Sequence, residues 1–273
     1  MAATPGGGRI GAAFAHARDE GRIALITYLT AGFPEADATP GLVRALVAGG
    51  ADAVELGIPF SDPLADGATI QRASQRALDG GMSVARCIAL IRDLRSGGVV
   101  IPLIVLTYYN PILAYGLDGF IHDAADAGAD GLTAVDVPAE EAEPLSTGCR
   151  ANGVDFIPLL APTSGDERVS LAAKRASGFL YCVSVAGVTG ARETLPPDLG
   201  EFLARVRRKT DLPLAVGFGI SRREHIEALA GRADGAIVGS AIVDLIEASP
   251  RGEREERVTQ YVEVLTGRRT ART

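Results

Sequence analysis

Short apolar, β-branched runs alternate with longer segments of helical periodicity along this 273-residue chain. The runs are IALITYL (23–29), DAVELG (52–57), PLIVLTY (102–108), GLTAVDV (131–137), DFIPLL (155–160), GFLYCVS (178–184), PLAVGF (213–218) and GAIVG (235–239). Each has the length and composition of a strand. Helical patterns between them include 35–49, 83–96, 117–128, 166–177 and 221–231. One junction recurs: GGADAVELG (49–57), GADGLTAVD (128–136) and GRADGAIVG (231–239). Each closes an alanine-rich helical pattern with glycine, the residue suited to a left-handed helix stop, and enters a strand after Ala-Asp.

Strands alternating with helices predict a parallel sheet with crossovers. Eight such units favour a closed (β/α)8 barrel, forming a single domain over 1–273, above an open doubly wound sheet. Residues 1–8 read as a disordered tail and 268–273 as a flexible terminus. A helix after the first tail is expected to cap the bottom of the barrel, and REERVTQYVEVLTG (254–267) to form the last outer helix.

One strand breaks the apolar pattern. In AVELG, Val54 and Leu56 point to one face and Glu55 to the other. If the large apolar pair faces the outer helices, Glu55 faces the barrel axis, toward the end where barrel enzymes keep their active sites. Withdrawing a carboxylate from water raises its pKa, which suits it to proton transfer near neutrality. The competing reading is a structural glutamate held by a neighbouring hydroxyl or arginine. The loop that follows, PFSDPLADG, adds Asp62 and Asp66. By chemistry alone either one can complete an acid–electrostatic pair with Glu55, and either can be a plain turn residue.

Composition narrows the partners. A net charge of −7, with no basic stripe, argues against nucleic acid. The most apolar stretch, 99–116, is interrupted by Pro102, Asn110 and Pro111 and makes a poor membrane span. Three scattered cysteines, Cys87, Cys149 and Cys182, read as reduced thiols and point to the cytoplasm. An acidic chain can still hold an anion through backbone donors. Three late strand ends, AGVTG (186–190), GFGIS (217–221) and VGSAI (238–242), carry glycines, and the last two open into helical patterns. Such turns and helix N-termini suit a phosphate, with 239–249 as the short extra helix barrels use for it.

Other chemistries find little here. The two lysines, Lys174 and Lys209, fall in or after helical patterns, which disfavours a Schiff-base aldolase. His16, His122 and His225 lack metal-ligand spacing. Carboxylate acid–base chemistry on a phosphorylated small molecule is what survives.

The motifs ELGIPFSDPLADG, TIQRAS, TYYNP, DVP, GVTGAR, GFGIS and GSAIV together resemble the tryptophan synthase alpha chain family, from about Thr27 to about Leu245. The resemblance implies a (β/α)8 barrel that cleaves indole-3-glycerol phosphate to indole and glyceraldehyde 3-phosphate without metal or organic cofactor. It also implies a beta subunit as partner in an α2β2 complex, with pyridoxal phosphate in that subunit only. A free-standing indole-3-glycerol-phosphate lyase and a non-catalytic phosphate-binding barrel are the alternatives. By the resemblance Glu55 is the catalytic acid, and Asp66, not Asp62, holds the indole N–H. It places Tyr28, Leu106 and Phe218 around the indole ring and Tyr181 beside the glutamate. Thr189 becomes a lid residue that reaches Asp66, and Gly190, Gly219, Gly239 and Ser240 hold phosphate. Val185 stands where some members carry arginine.

Overall fold

The computed structural model describes residues 8–184, 196–217 and 219–269. Its strands are β1 (Ala24–Thr30), β2 (Ala53–Gly57), β3 (Leu103–Thr107), β4 (Gly131–Ala134), β5 (Asp155–Phe156), β6 (Leu159–Leu160), β7 (Leu180–Val183), β8 (Leu214–Gly217) and β9 (Gly235–Val238). All pair in parallel, in the order β5-β4-β3-β2-β1-β9-β8-β7-β6. The two ends of that order, β5 and β6, are consecutive in sequence. They are the halves of the single strand expected at 155–160, so the sheet curls into an eight-stave barrel whose fifth stave is broken. Pro158 is the cause, since it has no N–H for the ladder. Its carbonyl still accepts from the Tyr181 N–H at 3.2 Å, so the chain continues the wall without regular pairing.

Alternation along each strand separates two cores. Leu25, Val54, Leu56, Leu103, Val105, Leu180, Cys182, Leu214 and Val216 pack outward against helices. Ile26, Ala53, Ile104, Ala215 and Ile237 fill the barrel interior. Helix α1 (Arg9–Asp19) closes the bottom by adding Ile10, Phe14 and Ala17 to that inner cluster. Phe14 tilts on Phe179 with ring centroids 5.4 Å apart, as expected of a capping helix.

The outer helices follow their strands: α2 (Thr39–Gly49), α3 (Ala68–Asp79), α4 (Val84–Ser96), α5 (Tyr109–Tyr115), α6 (Leu117–Ala127), α7 (Glu143–Ala151), α8 (Asp166–Arg175), α9 (Leu199–Arg207), α10 (Arg223–Glu227), α11 (Ser240–Ala248) and α12 (Arg254–Thr266). The helix expected over 221–231 is regular only across α10, its remainder forming turns.

The three repeated junctions share one device. Gly50 and Gly128 cap α2 and α6 at φ of 102° and 96°, as helix stops require, whereas Gly231, also left-handed at 73°, lies in the turns beyond α10, which ends earlier at a right-handed Ala228. The aspartate two residues after Gly50 and Gly128, and three after Gly231, then accepts a backbone N–H at the start of the neighbouring strand. Asp52 accepts from Leu25 at 2.7 Å, Asp130 from Leu103 at 2.8 Å and Asp234 from Leu214 at 2.8 Å. Each also pairs with an arginine: Arg22, Arg95 and Arg207 respectively. The repeat read in the sequence is therefore a strand-end clamp on the bottom rim, opposite the site.

Candidate active site

At the top of the barrel a cleft is lined by Tyr28, Glu55, Asp66, Leu106, Tyr181, Gly219, Gly239 and Ser240, joined by Ala65, Ile70, Val135, Leu159, Ile220 and Ile237. Eight of the residues singled out in the sequence thus converge from β1, β2, β3, β7 and the chain following β2, β8 and β9. Thr189, Gly190 and Phe218, with Val185, lie outside the described residues.

Glu55 occupies the middle of β2, in register with Tyr28 of β1 and Ile104 of β3. Its side chain turns inward and is 0% exposed. Neither carboxyl oxygen has a hydrogen-bond partner among the described residues. The structural reading, a glutamate held by a hydroxyl or arginine, therefore has no partner there to support it. Burial without compensation pushes its pKa up to about 8, so the carboxyl carries its proton at neutral pH.

Asp66 is less enclosed and better partnered. The Tyr108 hydroxyl donates to its Oδ2 at 3.1 Å and accepts the Ala65 N–H at 3.0 Å. Gln71 of α3 donates to its carbonyl at 2.9 Å. Burial raises the Asp66 pKa to about 6 while the Tyr108 bond opposes the rise, leaving the group ionised at neutrality. Asp62 takes the other course: it is exposed, its side chain accepts from the Ser61 hydroxyl at 2.5 Å, and its carbonyl closes a turn. Two carboxyls in unlike environments therefore stand at one cleft, one neutral and one charged.

Two tyrosines frame them. Tyr28 shares a hydrogen bond with Thr30 at 3.1 Å. Burial first, and the Asp66 and Glu55 charges after it, push its phenol well up; for Tyr181 the order is burial, Glu55, Asp66. Both phenols therefore stay protonated.

At the other end of the cleft, Gly219 holds a φ of +81°, and neither it nor Ile220 donates a backbone hydrogen bond among the described residues. Gly239 and Ser240 begin α11, where the helix ladder leaves N–H groups unused. These open donors at a helix start suit an anion. Lys174 and Lys209 are exposed on the outside of the barrel. Among the described residues no cluster of three or more His, Cys, Asp or Glu is placed to hold a metal, and no helix is long and apolar enough to cross a membrane.

Sequence reasoning missed Tyr108 as a site residue. Its motif, TYYNP, was legible, but nothing in the spacing says that its hydroxyl reaches back 42 positions to the preceding loop.

Residues 14–271 match the family described as Tryptophan synthase alpha chain. A tryptophan synthase alpha chain of Roseiflexus sp. (strain RS-1) is 52% identical over 259 residues, spanning 95% of this chain and 99% of that one. Tryptophan synthase subunit alpha from Legionella pneumophila str. Paris superposes with a TM-score of 0.88 at 35% identity, covering 97% of this chain and 98% of that one. A chain of Mycobacterium tuberculosis tryptophan synthase gives 0.86 at 37% identity, covering 95% and 97%. With fold and sequence matched over nearly its whole length, the chain belongs to the tryptophan synthase alpha chain family.

Proposed function

We propose that this chain cleaves indole-3-glycerol phosphate to indole and glyceraldehyde 3-phosphate, with Glu55 and Asp66 as the reacting pair. The observation that carries the reading is Glu55: a fully buried carboxyl without a hydrogen-bond partner among the described residues, facing the cleft. Breaking the bond between indole C3 and the glycerol carbon requires an electron sink. Protonation of C3 by Glu55 makes one, since the ring becomes an iminium-like cation. The C–C bonding pair then returns to the ring, and the side-chain hydroxyl loses its proton as the aldehyde forms. Glu55, now a carboxylate, accepts that proton and is restored, so the step needs no external base.

Asp66 accepts the indole N–H and stabilises the positive charge that develops there. Tyr28 and Leu106 bound the ring, with Phe218 assigned there by resemblance. Tyr181 stands beside the glutamate. Gly219, Gly239 and Ser240 offer backbone donors to the phosphate, and the resemblance alone assigns Gly190 to the phosphate and Thr189 to Asp66. The chemistry is complete in side chains and backbone, and we assign no cofactor to it.

We further propose that the indole passes to a beta subunit that docks on the rim above the cleft, and that this happens in the cytoplasm. Leu64, 88% exposed, stands on the loop that carries Asp66, and Leu113 and Tyr115 are exposed on α5 just beyond Tyr108. Phe60 tilts on Tyr108 with centroids 5.3 Å apart, bracing this apolar rim. The test is indole release from indole-3-glycerol phosphate by the purified chain, with and without a beta subunit. Release that the beta subunit stimulates supports the reading; full turnover by the chain alone favours a free-standing lyase; no release in either case contradicts the activity.

A further inference from the structure

Ser221 ends the glycine turn that follows β8, and its backbone is gripped from two sides. The Tyr261 hydroxyl of α12 donates to the Ser221 carbonyl at 2.6 Å. The Ser221 N–H donates to Nδ1 of His225, on α10, at 3.3 Å. His225 is 5% exposed, so this contact is sheltered from water. Helices α10 and α12 pack on each other, and Arg223 of α10 donates to the Leu265 carbonyl of α12 at 3.4 Å. Two residues before Ser221 lies Gly219, whose +81° φ gives the turn a freedom other residues lack. A turn of that kind presents fixed donors to a ligand only if something outside it holds its far end.

We propose that Tyr261 and His225 are positioning residues: together they fix the 219–221 turn so that its backbone donors meet the phosphate end of the substrate, without touching the substrate themselves. This rests on the phosphate site proposed above. Neither contact involves the carboxylates, so the effect falls on binding and not on the chemical step. The pre-set turn spares the ligand the ordering of its own site, and losing either grip returns that cost.

The test measures the Kd for glycerol 3-phosphate by titration calorimetry on the full chain, beside kcat and KM for indole release. Tyr261→Phe keeps the ring and removes only the donor; His225→Leu removes the acceptor, and His225→Asn restores one at nearly the same place. Loss of one hydrogen bond predicts a Kd and KM raised about three- to tenfold in Tyr261→Phe and His225→Leu, with kcat changed less than about twofold. His225→Asn is expected within about twofold of the parent. Gly219→Val serves as control for the site itself and is expected to weaken binding. If Gly219→Val weakens binding while Tyr261→Phe and His225→Leu bind like the parent, the grip is overturned and the phosphate site stands. If Gly219→Val also binds like the parent, the anion lies elsewhere and both readings fall.

Discussion

Tyr28 lies over Gly57 on the neighbouring strand so closely that a Cβ at Gly57 would come within 2.6 Å of the tyrosine ring carbons. Across the barrel the arrangement repeats: a Cβ at Gly217 would come within 2.6 Å of the Tyr181 ring. Both tyrosines line the cleft beside Glu55, and each occupies volume that the next strand has left vacant. Gly57→Ala therefore displaces Tyr28 into the cleft. We expect a stability loss of about 1–3 kcal/mol and a fall in indole release. Adding Tyr28→Leu, which clears the clash, is expected to recover stability. The comparison is made by urea denaturation of both variants, and a double mutant no more stable than Gly57→Ala contradicts the packing argument.

The pH dependence of kcat/KM follows from the two carboxyls. Asp66 must be ionised, which requires a pH above about 6, and Glu55 must be protonated, which requires a pH below about 8. A bell with limbs near those values is expected. Asp66→Asn is expected to lower the rate and remove the acid limb, and an unchanged limb in that variant contradicts the assignment.

Glu55 also links stability to pH. Its pKa in the fold is raised from the ordinary 4.5 to about 8. Between those values the native state keeps a proton that the unfolded chain has released. Its contribution is thus fully present below about 4.5 and is lost as pH rises through about 8. The expected slope is about 1.4 kcal/mol per pH unit from this one group. Glu55→Gln removes that slope, so denaturation midpoints of parent and variant are expected to diverge as pH rises. Parallel curves contradict a buried, protonated Glu55.

The strand-end clamps predict a contrast between aspartates. Asp52 accepts two bonds from Arg22, at 2.6 and 2.8 Å, besides the Leu25 N–H, and its side chain is 7% exposed. Asp52→Ala leaves both donors short of a partner and is expected to cost about 2–4 kcal/mol. Asp37 meets Arg251 at 3.4 Å with both side chains mostly exposed, so Asp37→Ala is expected to cost under about 1 kcal/mol. Equal losses in chemical denaturation contradict the clamp.

What the sequence disclosed, and what it withheld, follows from the range of each interaction. Strand alternation is local, so the inward aim of Glu55 could be read from Val54 and Leu56 alone. The glycine stops at Gly50 and Gly128 are local too, and so was the repeat. Its purpose was not, because the Asp52 partner lies 27 positions back, on a different strand. The preference for Asp66 over Asp62 needed family resemblance, since the difference is one of burial and of the hydroxyl that Tyr108 brings from just after β3. The break in the fifth stave was marked by Pro158, but a run of apolar residues around it masks the lost donor. The short α10 followed a sound helical pattern; turns replace its second half.

The central claim is that Glu55 supplies the proton that starts bond cleavage, and the rate of indole release by Glu55→Gln at saturating indole-3-glycerol phosphate tests it most directly. The amide keeps the shape of the side chain and cannot transfer that proton. The account predicts a rate at least about 100-fold below the parent. A variant that turns over within tenfold of the parent would contradict it.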